Sequence, residues 1–304
     1  MGNAPSGAAC QLGPGLAPCA GGDGSFPTAD VPVTVIRPKR GWQAIDFGEL
    51  WRYRELLYSL AWRDVKVRYK QTVMGAAWAI LQPLMTMVVF SVVFGKFAKI
   101  PSDGYPYPIF LYAGLLPWIL FSGAVSKAGV SLVSQSHLLT KIYFPRLFVP
   151  TAGVGACLVD FALSWSVYAG LMLWYQHVPG VTALLLPLLV LLTVLTALGV
   201  GYILASLTVT YRDFRFVVPF MLQIWMFLSP VIYPVTLASD GHQWFRWVLM
   251  LNPMTGIIEG FRSALLNRPL DPASLATAVV LGVSIFVFGL YNFRRTERRF
   301  ADVA

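Results

Sequence analysis

Long apolar runs constrain this chain more than any other feature of its sequence. A helix needs about 20 apolar residues to cross the hydrocarbon core of a bilayer. Five stretches have that length: 75–95, 109–128, 147–174, 182–210 and 273–293. Only 12% of the residues are charged, whereas soluble domains carry about 25%. The sequence therefore predicts an all-α polytopic membrane protein.

A sixth apolar stretch, 216–234, is long enough to cross, although Pro219, Pro230 and Pro234 interrupt it. We predict that it does cross, because Lys and Arg then follow the positive-inside rule. With six spans and cytoplasmic termini, the few basic residues left outside are Lys96, Lys99, Arg246, Arg262 and Arg268. A further crossing at 244–266 would move the arginines within 294–299 out of the cytoplasm, so six spans are favoured.

Residues 235–268 lie on the far side of the membrane in this topology, or dip back into it. Two short apolar pieces, 244–251 and 254–266, are each far below spanning length, which favours re-entrant or interfacial helices. The pair Asn252-Pro253 separates them, because proline disfavours helical backbone at the residue before it. The alternative is an ordinary loop with apolar packing.

The N-terminal residues show no pattern of a folded element. The first 30 are rich in Gly, Ala and Pro and contain no Lys or Arg, so we expect residues 1–40 to form a disordered cytosolic tail. The three cysteines lack the spacing of a metal or redox site, and the three histidines are isolated in sequence. The sequence predicts no metal site.

A basic amphipathic helix is predicted over 51–70, directly before the first span. At 100° per residue its apolar side holds Tyr53, Leu56, Leu57, Leu60 and Val67, and its basic side holds Arg52, Arg63, Lys66 and Lys70. This pattern is typical of a helix lying in the membrane interface. Asp64 interrupts the apolar side, where a helix that only rests on lipid has no use for a carboxylate. Arg68, four residues later, is a candidate partner.

Three other polar features stand out. The loops 134–146 and 211–216 combine aromatic and charged side chains, which suits the docking of a soluble partner. Basic anchoring at the cytoplasmic face explains their Lys and Arg equally well but explains Asp213 less well. Asp160 is the one carboxylate well inside a predicted span, and an interhelical contact and a pathway-lining role are equally open for it.

The chain has no glycine-rich loop that ends in Gly-Lys-Ser/Thr. Its only Gly-Lys pair, Gly95-Lys96, ends an apolar stretch and is followed by Phe97. The sequence therefore excludes ATP binding by the phosphate-binding loop that many ATPases use.

Several separate motifs resemble the membrane subunit of type-2 ABC exporters of polysaccharides, the permeases for O-antigen, capsule and teichoic-acid-like polymers. They are RDVKVRYKQTVMGAAWAILQPL (63–84), KIYFPRLFVP (141–150), YRDFRFVVPFMLQIWMFLSPVIYP (211–234), NPMTGIIEGFRSALL (252–266) and FRRTERRFADV (293–303). The resemblance covers residues 50–300 and agrees with six spans. We accordingly assign 41–304 to one permease domain.

The resemblance implies a homodimer in the bacterial inner membrane that encloses a channel for a lipid-linked polysaccharide. It implies a non-enzymatic transport subunit without a cofactor of its own. Two copies of a separate ATPase subunit would bind ATP and Mg. Membrane lipids are a further expected partner, and nucleic acid is not.

The resemblance also assigns expected roles to four sets of residues. A gate helix at the cytoplasmic entrance holds Arg63, Asp64, Lys66, Arg68 and Lys70. The loops that couple to the ATPase hold His137, Lys141, Tyr211, Arg212, Asp213, Phe214 and Arg215. Candidate channel-lining aromatics, of which we expect a minority to face the channel, are Trp78, Trp118, Phe121, Trp165, Tyr168, Trp225, Phe227 and Tyr233. The end of the fifth span and the re-entrant region, which help close the far end, hold Pro230, Pro234, Asn252, Pro253, Glu259 and Arg262.

O-antigen is the favoured substrate, with capsule or teichoic-acid polymers as alternatives within the same family. A membrane-embedded enzyme that modifies a glycan is a further alternative. Such an enzyme would need clustered acidic or His residues at one membrane face, and the sequence shows none. An ion-coupled carrier is disfavoured, because it would usually need more than one carboxylate inside its spans.

Overall fold

The computed structural model describes residues 47–70, 75–135, 144–239 and 248–297. Its helices are α1 (Phe47–Arg52), α2 (Arg54–Lys70), α3 (Gly75–Phe90), α4 (Tyr107–Ser134), α5 (Phe148–Trp174), α6 (Leu186–Thr210), α7 (Phe214–Leu228), α8 (Val235–Ser239), α9 (Pro253–Leu266) and α10 (Pro272–Thr296). A π-helical stretch, Ser91–Phe97, extends α3, and a 3-10 turn, Val181–Leu185, leads into α6. These residues contain no strand, which confirms the predicted all-α class. The predicted tail, 1–40, lies outside the described residues.

Five helical segments are long and apolar enough to cross a membrane, and they match the five predicted long stretches. They are Ala77–Phe97, Tyr107–Ser134, Phe148–Trp174, Val181–Thr210 and Pro272–Thr296. The two extra residues at the end of the first segment belong to the π-helical extension of α3. The chain is therefore a multi-pass membrane protein.

The predicted span 216–234 is helical only as far as Leu228. Helix α7 has 15 residues and is about 22 Å long at 1.5 Å per residue, less than the hydrocarbon thickness of about 30 Å. The cause lies in the sequence: Ser229 precedes Pro230 and adopts extended backbone, with φ −101° and ψ 144°, as residues before proline prefer. A sixth crossing at this position stays a prediction.

Helix α4 forms the centre of the bundle. Its side chains are buried along most of its length, and it packs most extensively against α6 and α5. Helix α10 packs on α6, α2 packs on α5, and the short helix α9 contacts α4, α6 and α10. The core is therefore built from α4, α5 and α6, with the short helices added to it.

Small residues let α6 and α10 approach each other closely. A Cβ atom on Gly199 would lie 2.6 Å from the backbone of Phe286, and one on Gly289 would collide with the carbonyl group of Gly199. Such contacts are typical of membrane helices, which associate through close packing because lipid tails are as apolar as the helices themselves.

One end of the bundle gathers the basic residues. Arg146, just before α5, donates a hydrogen bond to the carbonyl of Glu297, just after α10, at 2.8 Å. Asn292 of α10 also bonds to Ser206 near the end of α6 at 3.1 Å. We call this the basic end, formed by the start of α5 and the C-terminal ends of α4, α6 and α10.

The opposite end, which we call the far end, is tied together by loop contacts. Arg268 forms an ion pair with Asp103 at 2.6 Å, and Asn267 donates to the carbonyl of Val178 at 2.9 Å. These contacts join the loop after α3, the loop after α5 and the loop after α9. The alternation of ends agrees with helices that run up and down in turn.

We predict that Gly289→Ala lowers the thermal midpoint of the purified protein, because the added methyl group meets the backbone of Gly199. Overpacking of this kind typically costs about 1–3 kcal/mol. Gly170→Ala is the matched control, since a Cβ at Gly170 meets no atom within 4 Å. Equal midpoints for the two variants would show that α6 and α10 are not in close contact.

Candidate functional site

Helix α2 lies against α5 through its apolar side. Leu60 is buried, and Leu56 and Leu57 pack against the core. A Cβ atom on Gly155 would lie 3.0 Å from the Cβ of Ala61, so the two backbones are close. Residues 51–70 are thus helical, with a division at Tyr53 between α1 and α2, and the placement of this helix in the membrane interface stays a prediction.

The charged side of α2 borders a cavity of about 470 Å³. The cavity, which we call the basic-end cavity, is lined by Arg63, Asp64, Val67, Arg68, Lys127, Ser134 and Gln135. Val67, which the sequence pattern placed on the apolar side, is 53% exposed. The cavity, and not a neighbouring helix, faces α2 at that position.

Asp64 pairs with its chain neighbour. Its Oδ1 accepts hydrogen bonds from Nη2 and Nε of Arg63 at 2.9 and 3.2 Å. The candidate partner Arg68 lies 2.8 Å from Asp160 of α5. Since the pair of Arg63 and Asp64 is partly solvated and lies within one helix, it does not tie α2 to the bundle and contributes little stability.

Asp160 binds three side chains from two other helices. Its Oδ2 lies 2.8 Å from Arg68 Nη1 and 3.6 Å from Lys127 Nζ, and the hydroxyl of Tyr69 donates to Oδ1. The carboxylate side chain is only 14% exposed. We call these four residues the Asp160 cluster. Of the two roles left open by the sequence, this geometry supports the interhelical contact.

Tyr69 stays protonated within this cluster and donates a hydrogen bond to Asp160. Burial, together with the hydrogen bond to Asp160 and its negative charge, raises the pKa of the Tyr69 phenol. The hydroxyl therefore keeps its proton at physiological pH and can continue to donate to the carboxylate.

The two remaining lysines of the predicted gate helix are exposed. Lys66 places its Nζ 5.7 Å from the ring centroid of Trp62, and Lys70 is the last residue of α2. Both suit the basic, outward side of an interfacial helix.

The predicted coupling residues between α6 and α7 form a tight turn, 211–215, which we call the coupling turn. The backbone N–H of Phe214 donates to the carbonyl of Tyr211 at 3.2 Å, and the ring of Phe214 packs against the core. Arg212, Asp213 and Arg215 are exposed. The turn therefore presents charged side chains at the basic end on an anchored backbone. The other two predicted coupling residues, His137 and Lys141, lie outside the described residues.

Arg262 of α9 is fully buried at the far end. Its Nη2 donates to the carbonyl of Val231 at 2.8 Å and its Nη1 to the carbonyl of Tyr233 at 3.2 Å. Nη1 also lies 3.1 Å from Glu259 Oε1, and the guanidinium stacks 3.9 Å from the ring centroid of Phe110. A buried cation needs such partners, because desolvation alone would make it very unfavourable.

Asn252 holds the start of α9. Its Oδ1 accepts from the backbone N–H of Met254 at 3.0 Å and from Trp225 Nε1 at 3.0 Å. Its Nδ2 donates to the hydroxyl of Ser229 at 2.8 Å. The predicted helix break is confirmed, since α9 begins at Pro253 with Asn252 as its N-cap.

Asn252 and Arg262 together donate hydrogen bonds to the irregular segment 229–234 that follows α7. Pro230 and Pro234 within it are buried and lack a backbone donor. Irregular backbone inside a membrane protein is tolerated only where protein or water supplies hydrogen bonds. We call the segment with these two side chains the far-end clamp. The depth of α9 in the membrane stays a prediction.

Three of the predicted channel-lining aromatics are buried within the chain: Trp118, Phe121 and Tyr168. The ring of Phe121 meets Trp225 edge-on at 5.1 Å, and Tyr168 stacks on Tyr112 at 6.1 Å. In this conformation the three rings pack inside the bundle and face no open path.

The other predicted aromatics are more accessible. Trp78 of α3 is 58% exposed and Phe227 of α7 is 50% exposed. Trp165, Trp225 and Tyr233 are partly buried. These five keep an open face, and a channel-lining role for them stays a prediction.

Sequence comparison relates the whole arrangement to known transporters. A family model described as "ABC-2 type transporter" matches residues 55–266, which extend from α2 to the end of α9. The O-antigen export system permease protein RfbA of Myxococcus xanthus is 33% identical over 254 residues, covering 82% of this chain and 96% of that protein. The protein of the same name from Klebsiella pneumoniae is 24% identical over 250 residues, 82% of this chain and 95% of its own length. The polysialic acid transport protein KpsM of Escherichia coli is 26% identical over 240 residues, 77% of this chain and 91% of its own length.

We predict that Arg262→Met strongly destabilises the protein, because it leaves two carbonyls and Glu259 without their donor. Removal of one member of a buried ionic network costs about 3–5 kcal/mol. Arg262→Lys should lie between the parent and Arg262→Met, since lysine keeps the charge but not the planar fork. Thermal unfolding of the purified protein measures the order.

Arg295→Met is the control for this series, because Arg295 is exposed at the basic end. It should leave the thermal midpoint unchanged. If Arg262→Met were as stable as this control, the clamp would not depend on the arginine.

Proposed function

The chain belongs to the ABC-2 type transporter family, and we propose that it is the membrane permease of a polysaccharide exporter with O-antigen as its substrate. The observation that carries the proposal is the similarity to the Myxococcus xanthus O-antigen permease, which spans 96% of that protein. The matched family region includes α2, the coupling turn and the far-end clamp. The similarity therefore extends over every candidate functional element described above.

Capsular polysaccharide is the second candidate substrate. The polysialic acid transport protein KpsM is 26% identical over 91% of its length, which supports export of a polymer without choosing its chemistry. This substrate ranks second because the identity to KpsM is lower than the 33% to the Myxococcus xanthus O-antigen permease.

We propose that a separate ATPase subunit supplies the energy and binds ATP and Mg. The sequence contains no loop of the Gly-Lys-Ser/Thr type, so the chain must receive its driving force through contact. The coupling turn is suited to that contact, because it is charged and exposed and its backbone is fixed between α6 and α7. A displacement there would pass directly into both helices.

We place the transport path between two copies of the chain. Among the described residues, the centre of the bundle is filled by the side chains of α4, as shown by the buried Phe121 and Trp118. Helices α3 and α7 leave large side chains exposed, including Trp78 and Phe220. A homodimer that brings such faces around a path would give aromatic surfaces to sugar rings.

We further propose that the protein lies in the bacterial inner membrane with its basic end in the cytoplasm. The clustering of Arg63, Lys127, Arg146 and Arg294 at one end of the bundle supports this orientation, because cytoplasmic loops carry an excess of basic residues. The same side is where an ATPase would meet the coupling turn.

Deletion of the gene in its native host tests the proposed substrate. We expect the surface polysaccharide to disappear and its lipid-linked precursor to accumulate in the inner membrane. Loss of the ladder of lipopolysaccharide bands on a gel identifies O-antigen, whereas loss of a capsule with an intact ladder identifies the second candidate. Normal surface glycans after deletion would overturn the proposal.

We predict that Arg212→Ala and Asp213→Ala each lower polysaccharide export and the amount of ATPase that co-purifies with the permease. A loss of about 1 kcal/mol at a contact corresponds to about a fivefold weaker complex. Both variants should reach the membrane in normal amounts, because these side chains are exposed.

Lys96→Ala is the control for the coupling turn, since it removes an exposed positive charge at the far end. It should export and co-purify as the parent does. Parental export by both coupling-turn variants would remove the turn from the proposed contact with the ATPase.

A further inference from the structure

We propose that Asp160 is the positioning residue that docks α2 on the bundle and ties the movement of α2 to that of α4. The docking role stands on the geometry alone. The transmission of movement rests on the proposed function, in which an ATPase acts at the basic end.

One carboxylate joins three helices. Asp160 on α5 holds Arg68 and Tyr69 of α2 and Lys127 of α4. A single carboxylate inside an apolar helix is expensive, and the cost is met only where partners surround it. Here the partners come from two other helices, so the favourable geometry exists only when all three helices are in place.

Apolar contacts also hold α2 against the bundle. Leu60 is buried in the core, and Leu56 and Leu57 pack against it. The Cβ of Ala61 lies 3.0 Å from the Cβ position of Gly155. Apolar contacts are not directional, so they define the position of α2 less closely than directional contacts do. The ionic and hydrogen-bonded contacts at Asp160 have a direction, and therefore they set the position of the helix.

The negative charge of Asp160 balances two nearby positive charges. Arg68 and Lys127 approach the same oxygen, at 2.8 and 3.6 Å, so two positive charges lie close together on different helices. With Asp160 ionised, each cation is attracted to the shared carboxylate. With a neutral side chain at 160 the two cations would face each other and repel. The charge of Asp160 thus decides whether α2 and α4 attract or repel each other.

Lys127 connects the Asp160 cluster to the end of α4. Lys127 lies two turns before Ser134 and Gln135, which end α4 and line the basic-end cavity together with Arg68. Both α2 and α4 line this cavity, and the Asp160 cluster joins the two helices. A shift of the end of α4 would therefore reach α2 through Lys127, Asp160 and Arg68.

Disulfide formation between α2 and α5 tests the docking role without any transport. The reporter is Ala61→Cys with Gly155→Cys, in a chain whose native cysteines are replaced by alanine. The Cβ separation of 3.0 Å needs only a small adjustment to reach the 3.5–4.5 Å of ordinary disulfides. We expect rapid oxidation in membranes, and Asp160→Asn should slow it by about fivefold or more, equivalent to about 1 kcal/mol of docking free energy.

Two variants separate docking from general damage to the fold. Asp160→Glu keeps the charge and should restore most of the oxidation rate. Asp64→Asn makes the same chemical change beside the same cavity, but its partner is on its own helix, so the oxidation rate should match the parent. A rate for Asp160→Asn equal to the parent rate would overturn the proposal.

A variant on α2 keeps the test valid if Asp160→Asn does not fold. Arg68→Gln changes a half-exposed side chain and leaves Lys127 to neutralise Asp160, and it should also slow oxidation. Combined with Asp160→Asn it should slow oxidation no further, because both changes remove the same contact. Parental oxidation in Arg68→Gln, or additive effects in the double variant, would overturn the proposal.

Export per ATP hydrolysed tests the transmission of movement. In vesicles that contain the permease and its ATPase, Asp160→Asn should lower glycan export by about fivefold or more, while ATP hydrolysis continues. Unchanged export per ATP together with slowed oxidation would overturn the transmission role. A parent that exports no polysaccharide would contradict the proposed function and leave the oxidation result standing.

Discussion

A chain that enters an apolar environment must supply partners for its own buried charges and broken backbone, because lipid supplies none. Two residues show how this chain meets the requirement. Asp160 draws donors from α2 and α4, and Arg262 draws acceptors from the irregular segment after α7. Neither charge would be stable alone, so each recruits distant parts of the chain and thereby determines how those parts are arranged.

Asp160 lies midway along α5, whereas Arg262 lies on α9 at the far end, and each of the two charges holds a short helix. The long helices α6 and α10 associate through close glycine contacts, with one hydrogen bond from Asn292 to Ser206. Helices α2 and α9 are held by polar anchors: α2 by Asp160 of α5, and α9 by its own Arg262. A polar anchor is strong in a dry environment and weaker when water enters, whereas a glycine contact is less sensitive to water. Helix α9 is buried in the core, whereas the cations that hold α2 are partly exposed, so α2 is the helix whose attachment can change while the core stays intact.

The five long spans and the break before Pro253 could be predicted because both depend on local sequence. The spans follow from the length of the apolar runs, and the break follows from the effect of proline on the residue before it. In the sixth stretch the helix ends before the apolar composition does, since Pro230 ends α7 while the composition stays apolar to Pro234, and the crossing itself stays a prediction. The partners of Asp160 and the carbonyl partners of Arg262 could not be predicted. Tyr69 and Asp160 are separated by 91 residues, and a helical repeat shows only neighbours three or four residues apart, which is why Arg68 was matched to Asp64. The presence of a carboxylate inside a span was the one signal that this site existed.

The aromatic residues show a similar division between composition and position. A high aromatic content suits a path for sugar rings, but composition does not distinguish a ring that lines a path from one that fills a core. Phe121 and Trp225 meet edge-on, and Trp225 in turn bonds to Asn252. These contacts connect the central helix α4 through α7 to the start of α9. The buried aromatics therefore connect the bundle toward the far end. In the proposed permease, sugar contact falls to rings that keep an exposed face, such as Trp78 and Phe227. A path that such rings line must run along the outside of one chain, which is why the proposed permease needs a second copy to enclose it.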